Sequence, residues 1–287
     1  MKYIILSVNE NVDYFAYVPL TCWAWRRIGW EPILFYHREN ESDSLTPVEE
    51  LVAKYSSVET HFLKSIPGYR SDTITQTSRL YGTCVKDGFI MTGDIDMLPL
   101  SDYWQHEVDD DTITVYGHDL TGYTQYPICY IAMNSANWAN VMNIHKGGFT
   151  SDISSKDYNY FLERDLKTMP QALSKDFNHY WSVDQELITN RLQGKQIKII
   201  NRGQYPNGYA KGRVDRGAWN VNLEQFIDCH MHRDLFKFFY TKDLPQEQSD
   251  LYAKKWQDHM DLLNKVWPED ELNWFVDFTM QYAKLVQ

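Results

Sequence analysis

The sequence predicts an α/β protein built on a doubly wound, mostly parallel sheet, and three observations carry that reading. Strand-like and helix-like patterns alternate over the first hundred residues, as βαβ units require. The segment Phe89-Ile90-Met91 is wholly apolar, as a strand covered on both faces of a parallel sheet must be. A chain of 287 residues that is 43% apolar, with ten Trp, twenty Tyr and thirteen Phe, can fill one large core and is not a disordered scaffold.

The elements follow in order. Residues 2–8 form a short apolar run ending in Ser7-Val8-Asn9 and predict the first strand. Tyr14, Tyr17, Val18, Trp23 and Ile28 recur at about helical spacing; Pro19 kinks or starts that helix and Gly29 stops it. A second strand is expected over 32–36, a short helix over 47–55 and a third strand over 58–63. Residues 72–86, with Ile74, Leu80, Tyr81 and Cys84, read as one helix leading into the strand at 89–91. Beyond it, 112–116, 128–133 and 196–200 read as strands, and 136–145, 158–166 and 183–192 as helices.

Residues 202–217 read as a loop with four basic residues, Arg202, Lys211, Arg213 and Arg216, and four glycines; the basic groups could close over a diphosphate with the glycines as hinges, the alternative being solvated loop charge. After Pro245 a helix is expected with Leu251, Trp256, Met260, Leu263 and Val266 on its apolar side. Pro268 ends that pattern, and a last helix carries Leu272, Phe275, Phe278, Tyr282 and Leu285. No repeat or linker divides the chain, so the expected organisation is a domain over 1–240 with a helical extension, 241–287, packed on it.

The net charge of −11 argues against a nucleic-acid partner, whose phosphates need a basic face. No apolar run approaches the roughly 20 residues that span a bilayer, and Tyr3-Ile4-Ile5-Leu6 is too short for a signal-peptide core. Cys22, Cys84, Cys129 and Cys229 are scattered in apolar contexts without a C-x-x-C pair, which suits reduced thiols in a cytoplasmic protein. Peripheral docking on a membrane through the aromatic C-terminal helices is a further expectation for localisation.

Chemistry concentrates after the apolar strand, in Met91-Thr-Gly-Asp94-Ile-Asp96-Met-Leu-Pro-Leu100. Two carboxylates arrive at the carboxyl end of a central strand, the edge where open α/β sheets bind ligands. They repel each other unless a cation joins them, and hard oxygen ligands suit Mg²⁺ or Mn²⁺ bridging to phosphate. The structural alternative is an Asx-capped turn; Asp109-Asp110-Asp111 fits the same D-x-D pattern and reads as a solvated turn. Late in the chain, Asp228, His230 and His232 share one face if 226–232 is extended, a plausible metal edge. Zinc on Cys229, His230 and His232, or surface histidines without a role, are the alternatives there. Asp119 follows a strand end and is a candidate for the reacting centre. Tyr123, Tyr126, Tyr130, Trp181 and Trp219 lie in the loop-rich half, where rings could stack on a ligand.

The block around Asp94 and Asp96 resembles the D-x-D strand of GT-A glycosyltransferases, which transfer sugars from nucleotide-sugar donors. Trp181-Ser-Val-Asp184-Gln-Glu186 resembles the W-x-x-D-Q segment that approaches the sugar in many members. The resemblance covers roughly residues 1–235 in layout and implies a GT-A fold. It also implies Ser7, Asn9 and Arg79 at the nucleotide, Asp94 and Asp96 at donor and metal, and His230 or His232 as a third ligand of Mn²⁺ (or Mg²⁺). Asp184 would contact the transferred sugar or act as base, with an N-terminal helix position as its structural alternative. A nucleoside-diphosphate sugar, by family habit a UDP-sugar, would be the donor and a glycan or other hydroxyl the acceptor. Retention and inversion both stay open, and the H-F-x-G-x-x-K-P-W ending of some retaining members is absent. Rival readings are a haloacid-dehalogenase-like phosphatase using the D-x-D, a nucleotidyltransferase, and a non-catalytic, metal-dependent carbohydrate-binding protein.

Overall fold

A computed structural model describes residues 1–39, 42, 44–105, 112–118, 125–144, 157–201, 212–217, 219–221 and 226–287. The chain opens with β1 (Lys2–Asn9), α1 (Val12–Phe15), α2 (Val18–Arg27), β2 (Glu31–His37), α3 (Pro47–Ser56) and β3 (Glu59–Leu63). Pro19 sits in the first turn of α2, where its missing N–H costs nothing, so it starts the helix rather than kinking it. Thr46 and Glu49 close a capping box at the head of α3. Next come α4 (Ser71–Ser78), β4 (Phe89–Thr92), β5 (Met97–Pro99), β6 (Ile113–His118), β7 (Ile131–Asn134) and α5 (Ser135–Val141). The later elements are α6 (Tyr158–Leu166), α7 (Phe177–Tyr180), α8 (Val183–Leu192), β8 (Ile197–Asn201), β9 (Arg213–Asp215) and β10 (Asp228–His230). Three helices follow: α9 (Lys237–Tyr240), α10 (Gln246–Val266) and α11 (Asn273–Val286).

Seven strands form the central sheet in the order β3-β2-β1-β4-β7-β6-β8. All run parallel except β7, which pairs antiparallel with β4 and β6. A parallel neighbour would need a crossover of a dozen residues or more, usually a helix. Between β6 and β7 the described residues hold only a short 3₁₀ turn, Ile128–Tyr130. The chain runs outward from β1 to β3 and then returns to place β4 on the other side of β1. The carboxyl ends of β1 and β4 therefore flank the topological switch point, where such sheets bind ligands.

Alternation along β1 divides the core. Ile4, Leu6 and Val8 face a layer containing α2, α3 and α11; Ile5 faces one containing α4, α5, α6 and α8. The C-terminal helices share the first of these cores through Leu262, Leu263, Phe275, Phe278 and Tyr282, so these side chains are not presented to a membrane. Leu251 and Leu285, expected on the apolar stripes, are exposed. Among the described residues no helix is long and apolar enough to cross a membrane. All four cysteines are free, with Cys22, Cys84 and Cys229 buried.

The helix expected over 72–86 divides in two. After α4 the chain tightens into a 3₁₀ segment, Arg79–Cys84, interrupted at Tyr81. Gly82 presses onto β1 so closely that a Cβ would run into Ile5, which a continuing α-helix with side chains there could not allow. A small second sheet, ordered β5-β10-β9, completes the fold. The extended run expected at 226–232 shortens to the three residues of β10, the length over which β5 and β9 pair with it.

Candidate active site

A cavity of about 750 Å³ opens at the switch point. Ser7, Val8 and Asn9 form its wall at the end of β1, and Asp94, Ile95 and Asp96 where the chain leaves β4. Gly93 permits this approach: a Cβ there would lie 2.8 Å from Ile4 Cδ1. Asn9 is fixed by its neighbours, its amide donating to Ser71 Oγ (3.2 Å) and its carbonyl accepting from the Asn11 N–H (3.2 Å). Ser71 is in turn bonded to His37 Nδ1 (2.9 Å).

One side of α4 supplies the next wall. Ser71 and Thr75 stand four residues apart, and Arg79 follows at the same spacing, so the three line the cavity in a row. Arg79 is 6% exposed and almost fully engaged. Its Nε donates to the Gln76 carbonyl (3.1 Å), Nη1 to the Gly93 carbonyl (3.1 Å) and to Asp94, and Nη2 to Asp184 Oδ2 (2.9 Å). The guanidinium thus ties the D-x-D exit to α8. Asp184, 2% exposed, also accepts the Gln185 N–H at the head of α8 (2.8 Å). It sits in the first turn of its helix, accepting one of that turn's N–H groups, and lines the cavity at once.

The small sheet brings the remaining charges. Asp96, 6% exposed, receives Arg216 Nη1 at 2.7 Å, with His230 Nε2 at 3.4 Å. Burial alone would raise the Asp96 carboxyl, but His230 and Arg216 hold it below the usual carboxylate range. The other nitrogen of His230 lies 3.3 Å from Asp215 Oδ2. Burial and the charge of Asp96 push the Tyr14 phenol up, while Arg233 and Arg216 oppose them. Arg233 lies over the Trp181 ring, 5.4 Å from its centroid.

Of the residues singled out from the sequence, Ser7, Asn9, Arg79, Asp94, Asp96, Trp181, Asp184, Arg216 and His230 meet at this cavity. His232 does not. It lies past the end of β10, between Trp219 (5.0 Å) and His259 (5.1 Å), with Nδ1 buried and without a hydrogen-bond partner among the described residues. Its backbone N–H donates to His259 Nε2 (3.3 Å), and its carbonyl accepts from the Tyr17 hydroxyl. Burial and nearby Lys255 lower its pKa. Alternation along a strand carries side-chain direction only as far as the strand runs, which is why the expected shared face fails at His232. Asp228 is sealed in a pair with Arg213 instead of facing the cavity, and Cys229 lies in the apolar core. Asp119, Arg202, Lys211, Tyr123 and the Asp109–Asp111 run lie outside the described residues.

Arg70, Ser71, Thr75, Gln76, Asn11 and Arg233 also line the cavity and were not singled out. For α4 a signal existed: Ser71, Thr75 and Arg79 recur every four residues, which puts two hydroxyls and a guanidinium on one helix face. Nothing in the sequence marks Arg233.

The Mn²⁺ or Mg²⁺ implied by the D-x-D resemblance does not fit this donor arrangement. Asp94 accepts from Arg79 and Asp96 from Arg216, so each carboxylate faces a guanidinium. Among the described residues no group of three or more His, Cys, Asp or Glu is placed to hold a metal ion.

No family model and no curated protein matches the chain. Among solved structures it is similar to two crystal structures of the glycosyltransferase GlyE from Streptococcus pneumoniae TIGR4, one of them an apo form. The TM-scores are 0.47 and 0.46 at 11% and 10% identity, covering 99% of this chain and 64% of that one. This chain thus spans about two-thirds of the length of those neighbours, and a likeness at that score is one of outline alone.

Proposed function

We propose that the protein is a glycosyltransferase that takes a nucleoside-diphosphate sugar, with UDP the first candidate nucleotide, and transfers the sugar to a glycan or other hydroxyl acceptor. The observation that supports this best is the cavity at the β1/β4 switch point. There a D-x-D exit, a hydroxyl-bearing helix face and several arginines surround a space large enough for a nucleotide sugar.

Ser7 and Asn9, at the end of β1, would meet the nucleoside; the Asn9 amide is already oriented by Ser71 and Asn11. Arg79 acts on the site by holding Asp94 and Asp184, since its own donors are nearly all taken. Asp184 accepts from Arg79 and from its helix terminus, an arrangement that favours gripping a sugar hydroxyl over taking a proton. In the transfer an acceptor oxygen bonds to the anomeric carbon as the bond from that carbon to the diphosphate oxygen breaks, and the proton of the acceptor hydroxyl passes to the departing diphosphate. The leaving diphosphate gains negative charge, and guanidinium groups fixed in the cavity stabilise it without having to reorganise.

The test is release of nucleoside diphosphate from a panel of UDP- and GDP-sugars by wild type and Asp96→Asn. Release from one nucleotide class, lost in the variant, is expected. Binding of free sugars with no release from either class would return the chain to the carbohydrate-binding reading, and turnover of simple phosphate esters to the phosphatase reading.

A further inference from the structure

We propose that Arg216 is the cation of Asp96, and that Arg216 and Arg233 hold the donor diphosphate without a divalent ion. The proposal rests on the cavity being a nucleoside-diphosphate site.

Asp96 is a buried carboxylate and needs an opposite charge beside it. Arg216 meets that need through Asp96 Oδ2 at 2.7 Å, the oxygen that His230 also faces. A divalent ion on Asp96 would compete for the same oxygen while standing against a guanidinium, and like charges at that range repel strongly in a partly buried site.

The position of Arg216 is built into the fold. It follows β9, whose register with β10 sets Asp215 opposite His230. The Gly217 N–H closes the turn after it on Asp215 Oδ1 (2.8 Å). The Met231 N–H donates to the Asp96 carbonyl (2.9 Å), and the Met231 carbonyl lies 3.4 Å from Arg216 Nη1. Asp96, Arg216 and Met231 therefore form one closed set of contacts.

Four arginines line the cavity among the described residues, and they differ in what they have left to offer. Arg70 is forked onto Asp72 (3.0 and 2.9 Å) and stacked over Tyr180. Arg79 is divided between Asp94 and Asp184. Arg216 touches its carboxylate through Nη1 alone and is 20% exposed. Arg233 is exposed and makes no ion pair among the described residues. In a chain of net charge −11, two incompletely paired guanidinium groups lining the same cavity, both acting on the Tyr14 phenol, mark an anion site. Their planar forks suit the paired oxygens of a diphosphate.

Calorimetric titration of UDP and GDP into the full chain, in EDTA and in Mn²⁺, decides the matter with wild type, Arg216→Gln and Arg233→Gln. The expected result is one nucleotide whose Kd in wild type changes by less than about threefold between the two buffers. Arg216→Gln should weaken it at least about tenfold in EDTA, and Arg233→Gln about tenfold in both buffers. If Arg216→Gln fails to fold, the wild-type comparison and the surface variant Arg233→Gln still decide. Wild-type binding seen only with Mn²⁺, or unchanged affinity in either variant, overturns the proposal while leaving the nucleotide reading intact. Binding of neither nucleotide in any buffer removes that reading, and this inference with it.

Discussion

Arg213 and Arg216 stand three residues apart at one edge of the small sheet, each paired with a buried carboxylate, yet the two pairs belong to different parts of the molecule. Arg213 makes a two-point contact with Asp228, Nε to Oδ1 at 2.6 Å and Nη2 to Oδ2, with side chains only 9% and 1% exposed. It is a sealed structural clamp between β9 and β10. Arg216 reaches Asp96 through one nitrogen and opens to the cavity. The same chemistry holds a fold together in one place and leaves a charge available for a ligand in the other. What separates them is register, which sets Arg213 opposite Asp228 and sends the next turn toward Asp96.

The largest effect that would test this contrast is on stability. Asp228→Ala leaves the Arg213 guanidinium buried without its carboxylate, and should cost about 3–5 kcal/mol in urea unfolding. Arg216→Gln should cost only about 1 kcal/mol, because the partner Asp96 keeps His230 and the replacement can still donate. Equal losses would erase the distinction between the two edges.

On the cavity side, Asp184→Asn weakens the hold of Arg79 on α8 while keeping a similar shape. Nucleoside diphosphate release should fall about a hundredfold or more, with nucleotide affinity changed less than about threefold. Full turnover in this variant would reduce Asp184 to a support of its helix terminus.

A third comparison sets His230, in the cavity, against half-buried His232 and buried His259. His259 donates from Nδ1 to the Lys255 carbonyl (2.6 Å) and accepts the His232 N–H on Nε2, so it is held neutral. Burial takes its pKa down to about 3. On acidification the unfolded chain binds this proton first, at an ordinary pKa of about 6.5, so the stability due to His259 is complete above that pH and drains away below it. The slope is about 1.4 kcal/mol per pH unit, or about 2 kcal/mol between pH 6.5 and 5. The lowered pKa of His232 acts in the same direction. Asp96, also lowered, gives up its contribution only at pH values below the ordinary carboxylate range. His259→Gln should flatten most of the decline in denaturation midpoint; an unchanged slope would place it elsewhere. The smallest effect belongs to Asn9→Ala, about fivefold in nucleotide affinity, for loss of one oriented amide.

The central sheet was legible because its strands are buried and its helices keep a clear period. The helices at 158–166 and 183–192 have the boundaries their apolar spacing predicts, and β1 to β4 lie within two residues of theirs. The direction of β7 was not legible, since nothing local in Ile131–Asn134 reports whether the chain arrives by a crossover. The gathering of Asp94 and Asp96 beside Ser7 and Asn9 follows from where a parallel sheet ends; Arg79 and Asp184, on helical segments, come to it only through the family resemblance. Their partners do not follow: Arg79 meets Asp94 15 residues on but Asp184 105 residues on, and Arg216 meets Asp96 120 residues back while Arg213 meets Asp228 only 15 residues on, pairings that no local pattern reports. His232 misled because a strand's length is set by its neighbours, and here β5 and β9 support only three residues.

The most direct measurement is a crystal structure of the protein soaked with the nucleoside diphosphate that binds. The account predicts the nucleoside beside Ser7 and Asn9, and the diphosphate between Arg216 and Arg233 with Asp96 behind it. Nucleotide bound on another face, or a cavity that takes up only free sugar, would contradict it.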